Sequence, residues 1–113
     1  MSTKIDEYTE GWTSPIEYTL YHKNPQTGER ATFDATSMTP SLVLRDKNGA
    51  VITFTGTVEW ADATVSKIRF NPAATDLVAS KSPYTLHWKV TDTVNKHAYY
   101  PQGTPILLRV FKS

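Results

Sequence analysis

Histidines are the first residues in this 113-residue sequence that could bind a metal or act as a general base. His22, His87 and His97 are far apart in the chain, and no acidic residue lies within two positions of any of them. The sequence contains no cysteine, which excludes thiolate nucleophiles, zinc–thiolate sites and disulfides. We therefore predict separate, exposed histidines, no metal site and no cofactor.

An acidic pair is the second candidate for chemistry. Glu59 and Asp62 flank Trp60, and two carboxylates beside an aromatic ring could hydrolyse a glycosidic bond. With 11 acidic residues in the chain, however, two will often fall close together, so the sequence favours a solvated turn. It also lacks the G-x-S-x-G, P-loop, G-x-G-x-x-G and calcium-loop motifs. We predict no catalytic residues and a protein that is not an enzyme.

The three tryptophans could instead bind a ligand, since exposed aromatic rings on a small β-domain can stack against sugars. Trp88 and Trp60 each alternate with aliphatic residues and are predicted to lie in the core. Trp12 lies in the polar stretch of residues 8–15 and is predicted to lie at the surface. A single exposed tryptophan favours a protein-docking anchor, whereas two or more coplanar exposed aromatic residues would favour carbohydrate binding.

Charge excludes further classes of partner. The chain has 12 basic and 11 acidic residues, a net charge of +1, and so no overall field with which to hold nucleic acid or an anionic membrane. Asp6 and Glu7 stand where a signal peptide would need its apolar stretch, and no apolar run approaches a membrane span. We expect the protein to be made in a cytoplasm, without a secretion signal.

Strands must position these residues, because apolar and polar residues alternate with a period of two along the chain. The clearest case is residues 84–91, and residues 106–111 form a last strand that is apolar on both sides. Asp46, Asn48 and Gly49 supply the chemistry of a tight turn, which is predicted to join residues 41–45 to residues 50–55 as a hairpin. The sequence predicts an all-β, antiparallel β-sandwich of seven to nine strands over residues 16–113, preceded by an N-terminal arm at residues 1–15, with a small barrel as the alternative fold.

A leucine and a tyrosine refine this fold prediction. Leu77 precedes Tyr84 by seven residues, and Tyr84 begins the longest strand. This order is similar to the tyrosine corner of immunoglobulin-like domains, in which the tyrosine hydroxyl bonds back to the preceding loop. The predicted sandwich is therefore immunoglobulin-like.

The order of these signals resembles a known family, the immunoglobulin-like N-terminal domain of phage baseplate upper proteins and related tailed-phage virion modules. The resemblance spans residues 16–112 and rests on LRDKNG at residues 44–49, TGTVEWADA at 55–63, KIRF at 67–70, the corner tyrosine and VTD at 90–92, followed by a proline near position 101 and an apolar last strand.

This resemblance implies a non-enzymatic virion protein that docks on other virion proteins, as a capsid decoration, head–tail, tail or baseplate component. Copies would occupy symmetric sites on a particle assembled in the bacterial host, with homo-oligomers as one arrangement. The candidate docking residues are Tyr8 and Trp12 on the arm and the outward Leu107 and Phe111 on the last strand. The alternative is a carbohydrate-binding or host-adhesion module.

Overall fold

The chain is all-β in the computed structural model, which describes residues 5–23, 26–101 and 104–112. Two short 3₁₀ helices, Ala63–Val65 and Ala79–Lys81, lie between the strands. None of the helices within the described residues could cross a membrane. The strands are β1 (Ile5–Thr9), β2 (Ile16–Thr19), β3 (His22–Lys23), β4 (Arg30–Ala31), β5 (Thr39–Arg45), β6 (Thr57–Asp62), β7 (Lys67–Asn71), β8 (Tyr84–Thr91), β9 (His97–Tyr100) and β10 (Ile106–Phe111).

The strands form two main sheets and a small hairpin. The larger sheet has five strands, in the order β1-β10-β8-β5, with β9 also paired to β8. Since β5 occupies one side of β8, both β9 and β10 lie along the other side. The smaller sheet has the order β2-β7-β6, and β3 pairs with β4. All pairs are antiparallel except β1 with β10, which is parallel.

Alternation places one hydrophobic core between the two main sheets. Along β8, buried residues alternate with half-buried ones over all eight positions, as the sequence predicted. Ile68 and Phe70 of the smaller sheet and Leu86 of the larger one belong to the same buried cluster. The rings of Tyr18 and Trp88 connect the two sheets with centroids 5.6 Å apart. The architecture is therefore a sandwich in which each main sheet has one inner and one outer face.

The first strand lies inside the segment predicted as an arm. β1 pairs with β10 over five residues, and the Glu10 amide extends the pairing by donating to the Phe111 carbonyl at 2.8 Å. The prediction of residues 1–15 as an arm outside the sandwich is thus wrong for Ile5–Thr9, while residues 1–4 lie outside the described part. The acidic residues Asp6 and Glu7 weaken the sequence signal of this strand.

Two local predictions are confirmed. In the turn after β5, the Gly49 amide donates to the Asp46 carbonyl at 3.0 Å, and Gly49 has a φ of +83°. The prediction of a hairpin strand at residues 50–55 is wrong, because beyond that turn the pairing is an isolated bridge between Arg45 and Val51 and the rest of that segment forms no strand. At the corner before β8, the Tyr84 hydroxyl accepts from the Val78 amide at 3.1 Å beside the fully buried Leu77.

Candidate docking surface

The four predicted docking residues divide between two faces of the larger sheet. In the parallel register of β1 and β10, Tyr8 lies beside Val110, which is buried. Tyr8 therefore faces the core, whereas Leu107 and Phe111 alternate with the buried residues of β10 and face outward. The structure brings Tyr8 and Trp12 together and places Leu107 and Phe111 on the opposite face.

Tyr8 and Trp12 form an aromatic pair that closes the edge of the core. Their ring centroids are 5.1 Å apart in an edge-on arrangement, and both side chains are half-buried against the core. Burial, and then the negative charge of Asp6, raise the pKa of Tyr8 to about 12. Trp12 is half-buried rather than exposed, in a turn in which its amide donates to the Thr9 carbonyl at 3.1 Å and its indole N–H donates to the Ser14 carbonyl at 3.0 Å. Its role as a docking anchor stays a prediction.

Leu107 and Phe111 belong to a wider surface, the outer face of the five-stranded sheet. Phe111 is 52% exposed and Leu107 is half-buried. The neighbouring strands contribute basic, aromatic and aliphatic side chains to the same face. We call this surface the cationic face and define it by the outward residues Val43, Arg45, Thr85, His87, Lys89, Tyr99, Leu107, Arg109 and Phe111.

The basic residues of the cationic face lack acidic partners. Arg45, Lys89 and Arg109 form no ion pair with any residue that the structure describes. Glu7 is the acidic residue that shares this face, opposite Arg109 in the register of β1 and β10. Tyr99, 46% exposed, lies opposite Lys89 in the pairing of β8 and β9. Positive charge and exposed apolar surface are therefore combined here.

The outer face of the smaller sheet carries a closed network of charges. The Arg69 guanidinium contacts Glu17 at 2.6 Å and Glu59 at 3.0 Å, and the Lys67 ammonium lies 3.5 Å from Glu17. Hydrogen bonds from Arg69 to Glu17, and from Asn71 and Arg69 to Glu59, lower the pKa of both carboxyl groups. The charges on this face neutralise one another.

The predicted acidic pair does not form. Glu59 belongs to the network on the smaller sheet, whereas Asp62 caps the first 3₁₀ helix and accepts from the amide and hydroxyl of Thr64 at 3.2 and 2.7 Å. Trp60, between them, is half-buried, and its indole N–H donates to the Met38 carbonyl at 2.9 Å. These two carboxylates are therefore engaged by different neighbours.

The tryptophans do not form an exposed platform. Trp88 is 1% exposed, which confirms its prediction as a core residue, while Trp12 and Trp60 are half-buried. Neither of the two predicted exposure patterns is present, because none of the three rings is exposed. The exposed aromatic residues of the described chain are Tyr21, Tyr99 and Phe111.

A groove of about 510 Å³ lies between β1 and β2, the edge strands of the two main sheets. Tyr8, Tyr18 and Tyr21 line it together with the carboxylates of Asp6 and Glu17. Sequence reasoning missed this site, because Tyr8 was assigned to an arm and the two edge strands meet only in the folded chain.

The histidines remain separate from one another. His22 packs against both Phe33 and Tyr100, with ring centroids at 4.3 and 5.6 Å, while His87 and His97 lie on the outward side of the larger sheet. Within the described residues, no group of three or more histidine and acidic side chains could hold a metal ion.

No model of a protein family matches the sequence, and no curated protein matches it.

Proposed function

We propose that this chain is a non-enzymatic, immunoglobulin-like structural module of a bacteriophage or prophage virion, and that it docks on other virion proteins through the cationic face. The order of sequence motifs over residues 16–112 supports the virion assignment. The geometry of the cationic face supports protein docking.

Strand order supports the immunoglobulin-like part of the proposal. If β3 and β4 are set aside and β9 and β10 are counted as one interrupted last strand, the sheets pair the strands as B-E-D and C-F-G. The first strand adds to the free edge of the last one. The hydroxyl of Tyr84 bonded to Val78 matches the corner of such domains.

The observation that carries the docking proposal is the exposed Phe111, on the same sheet face as Leu107 and as basic residues that lack ion-pair partners within the described chain. Aromatic residues and arginine are enriched in protein interfaces. Exposed apolar side chains grouped on one face are a feature of interaction sites.

Copurification with particles tests the virion assignment. Particles induced from the strain that carries the gene would be banded on a density gradient and analysed by mass spectrometry and immunogold labelling. We expect the protein in the particle band, with labels at repeated positions on the particle. Its recovery only from the soluble fraction, in a preparation that contains intact particles, would overturn the proposal.

The groove between β1 and β2 favours carbohydrate binding as a second candidate function. Tyrosine rings supply stacking surfaces for sugars, and Tyr8, Tyr18 and Tyr21 line the groove. A glycan array tests this candidate, with Tyr21→Ala as the variant because Tyr21 is 47% exposed in the groove. Glycan binding that the variant loses would support it, and an array without signal would reject it.

A further inference from the structure

We propose that the partner of the cationic face is a protein surface on which acidic side chains alternate with apolar ones. This inference rests on the proposed docking function and specifies the chemistry of the partner. It follows from the distribution of charge on the larger sheet, from the residues that lie between the charges, and from the size of the face.

Basic residues on the outer faces of the two main sheets differ in whether an acidic residue of the same molecule pairs with them. On the smaller sheet, Arg69 and Lys67 are matched by Glu17 and Glu59 within 3.5 Å. On the cationic face, Arg45 and Arg109 are exposed and Lys89 is half-buried, with Glu7 as the one acidic residue among them in the described chain. The Arg45 guanidinium donates to the Gly49 carbonyl at 3.1 Å, which leaves its charge without an acidic partner. Complementary charge from a partner would neutralise this excess and orient the complex.

Spacing distinguishes a protein partner from nucleic acid. Along β10 the outward positions read Leu107, Arg109 and Phe111, so that the one basic residue lies between two apolar ones. A phosphate backbone needs several cations in a continuous track, and the chain has a net charge of only +1. An acidic and apolar protein surface would instead satisfy all three positions.

The size of the cationic face indicates whether a single contact suffices for tight binding or many copies of the partner are needed. Strand spacing and length give the sheet a projected area of roughly 400 Å², about half of what one partner buries in a standard interface. A single contact of this size would be weak. Many copies on a repeating array would bind strongly through avidity, which is the arrangement on a symmetric particle.

A bead assay tests the inference directly. The full chain would be titrated against beads that display a peptide of alternating glutamate and leucine at high density. Control beads would carry the same peptide with lysine in place of glutamate, or double-stranded DNA. We expect binding to the glutamate beads only. The affinity for these beads should fall at least about tenfold when salt is raised from low to physiological strength and beyond.

Paired variants locate the binding surface. The test variant combines Lys89→Glu with Arg109→Glu. The control combines Lys23→Glu with Arg30→Glu, which changes the net charge equally on the exposed β3–β4 hairpin. We expect the test variant to lose affinity for the glutamate beads at least about tenfold and the control to stay within about twofold. If the test variant has a lower melting temperature than the native chain, Arg109→Gln replaces it, because Arg109 is exposed.

Three outcomes would overturn the inference: equal losses in the test and control variants, equal binding to lysine and glutamate beads, or binding to DNA alone. The particle assay separates this failure from that of the proposed function. If the test variant copurifies with particles as well as the native chain does, the virion role stands and the cationic face is not its docking surface. If the native chain is absent from particles but binds glutamate beads through the face, the partner chemistry stands and the virion role fails.

Discussion

The two main sheets share one core, yet their outer faces treat charge in opposite ways. On the smaller sheet, Glu17 and Glu59 surround Arg69, and each charge has a partner on a neighbouring strand. On the larger sheet, Lys89 and Arg109 lie among exposed apolar side chains without an ion pair to any described residue. The first face is complete within the molecule, and the second leaves charge and apolar surface available to a partner. From this contrast we propose that a partner binds on the outer face of the larger sheet.

The largest expected effect compares an inward with an outward side chain of β10. It tests whether the inward residue stabilises the fold while the outward residue contributes little to stability. Leu108 and Arg109 are adjacent in β10, but Leu108 is fully buried and Arg109 is exposed. Leu108→Ala should lower the free energy of unfolding by about 2–5 kcal/mol, because it leaves a cavity in the core. Arg109→Ala should change it by less than about 0.5 kcal/mol. Urea unfolding measures both, and a comparable loss at Arg109 would show that the cationic face stabilises the fold.

A buried carboxylate provides the next test. The comparison of the two outer faces assumes that exposed charged residues contribute little to the free energy of unfolding, whereas a buried carboxylate with hydrogen bonds should contribute much more. Asp76 is 4% exposed and accepts from the amides of Thr55, Gly56 and Ala73 at 2.6–2.8 Å. Asp76→Ala should cost about 3 kcal/mol, because it leaves buried N–H groups without acceptors. Asp76→Asn should cost less, since its amide oxygen can still accept. Thermal unfolding measures the stability of both variants. An Asp76→Ala variant as stable as the native chain would contradict a stabilising role of these hydrogen bonds.

Tyr84, the corner tyrosine, tests how one hydrogen bond stabilises the β-sandwich to which both outer faces belong. Its hydroxyl accepts from the Val78 amide at 3.1 Å, and burial raises its pKa. Tyr84→Phe removes this hydrogen bond while it keeps the buried ring, so we expect a loss of about 1 kcal/mol in unfolding free energy. Bead binding should not change. Lost binding at unchanged stability would show that the corner acts on the docking surface.

The smallest effect belongs to the network on the smaller sheet. Its carboxyl pKa values are lowered from 4.5, so its contribution to stability is complete above that pH and is lost as the pH falls through the lowered values. Arg69→Met should reduce the melting temperature slightly at pH 7 and low salt. The difference from the native chain should shrink in high salt and disappear in acid. A difference that grows on acidification would contradict the network.

The alternation of apolar and polar residues along a strand made the buried side chains predictable. The features that the sequence did not predict depend on how the strands and turns come together in the fold. The period of two in residues 84–91 predicts every inward side chain of β8 correctly, because one buried face imposes that period. The same reasoning missed β1, in which acidic residues interrupt the pattern and pairing with β10 supplies the stability. Trp12 was misplaced because a turn, rather than its polar neighbours, sets its position.

The cationic face could not be assembled from the sequence alone. Its members come from β5, β8, β9 and β10, so that Val43 and Phe111 are about 70 residues apart in the chain. Lys67 and Arg69 lie on the smaller sheet and Lys89 on the larger one, although all three occur in the same half of the sequence. Only the strand order separates the basic residues that are neutralised from those that are available. The outward orientation of Leu107 and Phe111, by contrast, follows from alternation in β10.

Hydroxyl-radical footprinting of the protein, free and bound to particles, tests the central claim most directly. Tyr99, Phe111 and Tyr21 have similar exposures of 46%, 52% and 47%, so they should be oxidised to comparable extents in the free chain. Tyr99 and Phe111 lie on the cationic face, and Tyr21 lines the groove. The account predicts that binding protects Tyr99 and Phe111 several-fold and leaves Tyr21 unchanged. Protection of Tyr21 alone would contradict it and assign binding to the groove.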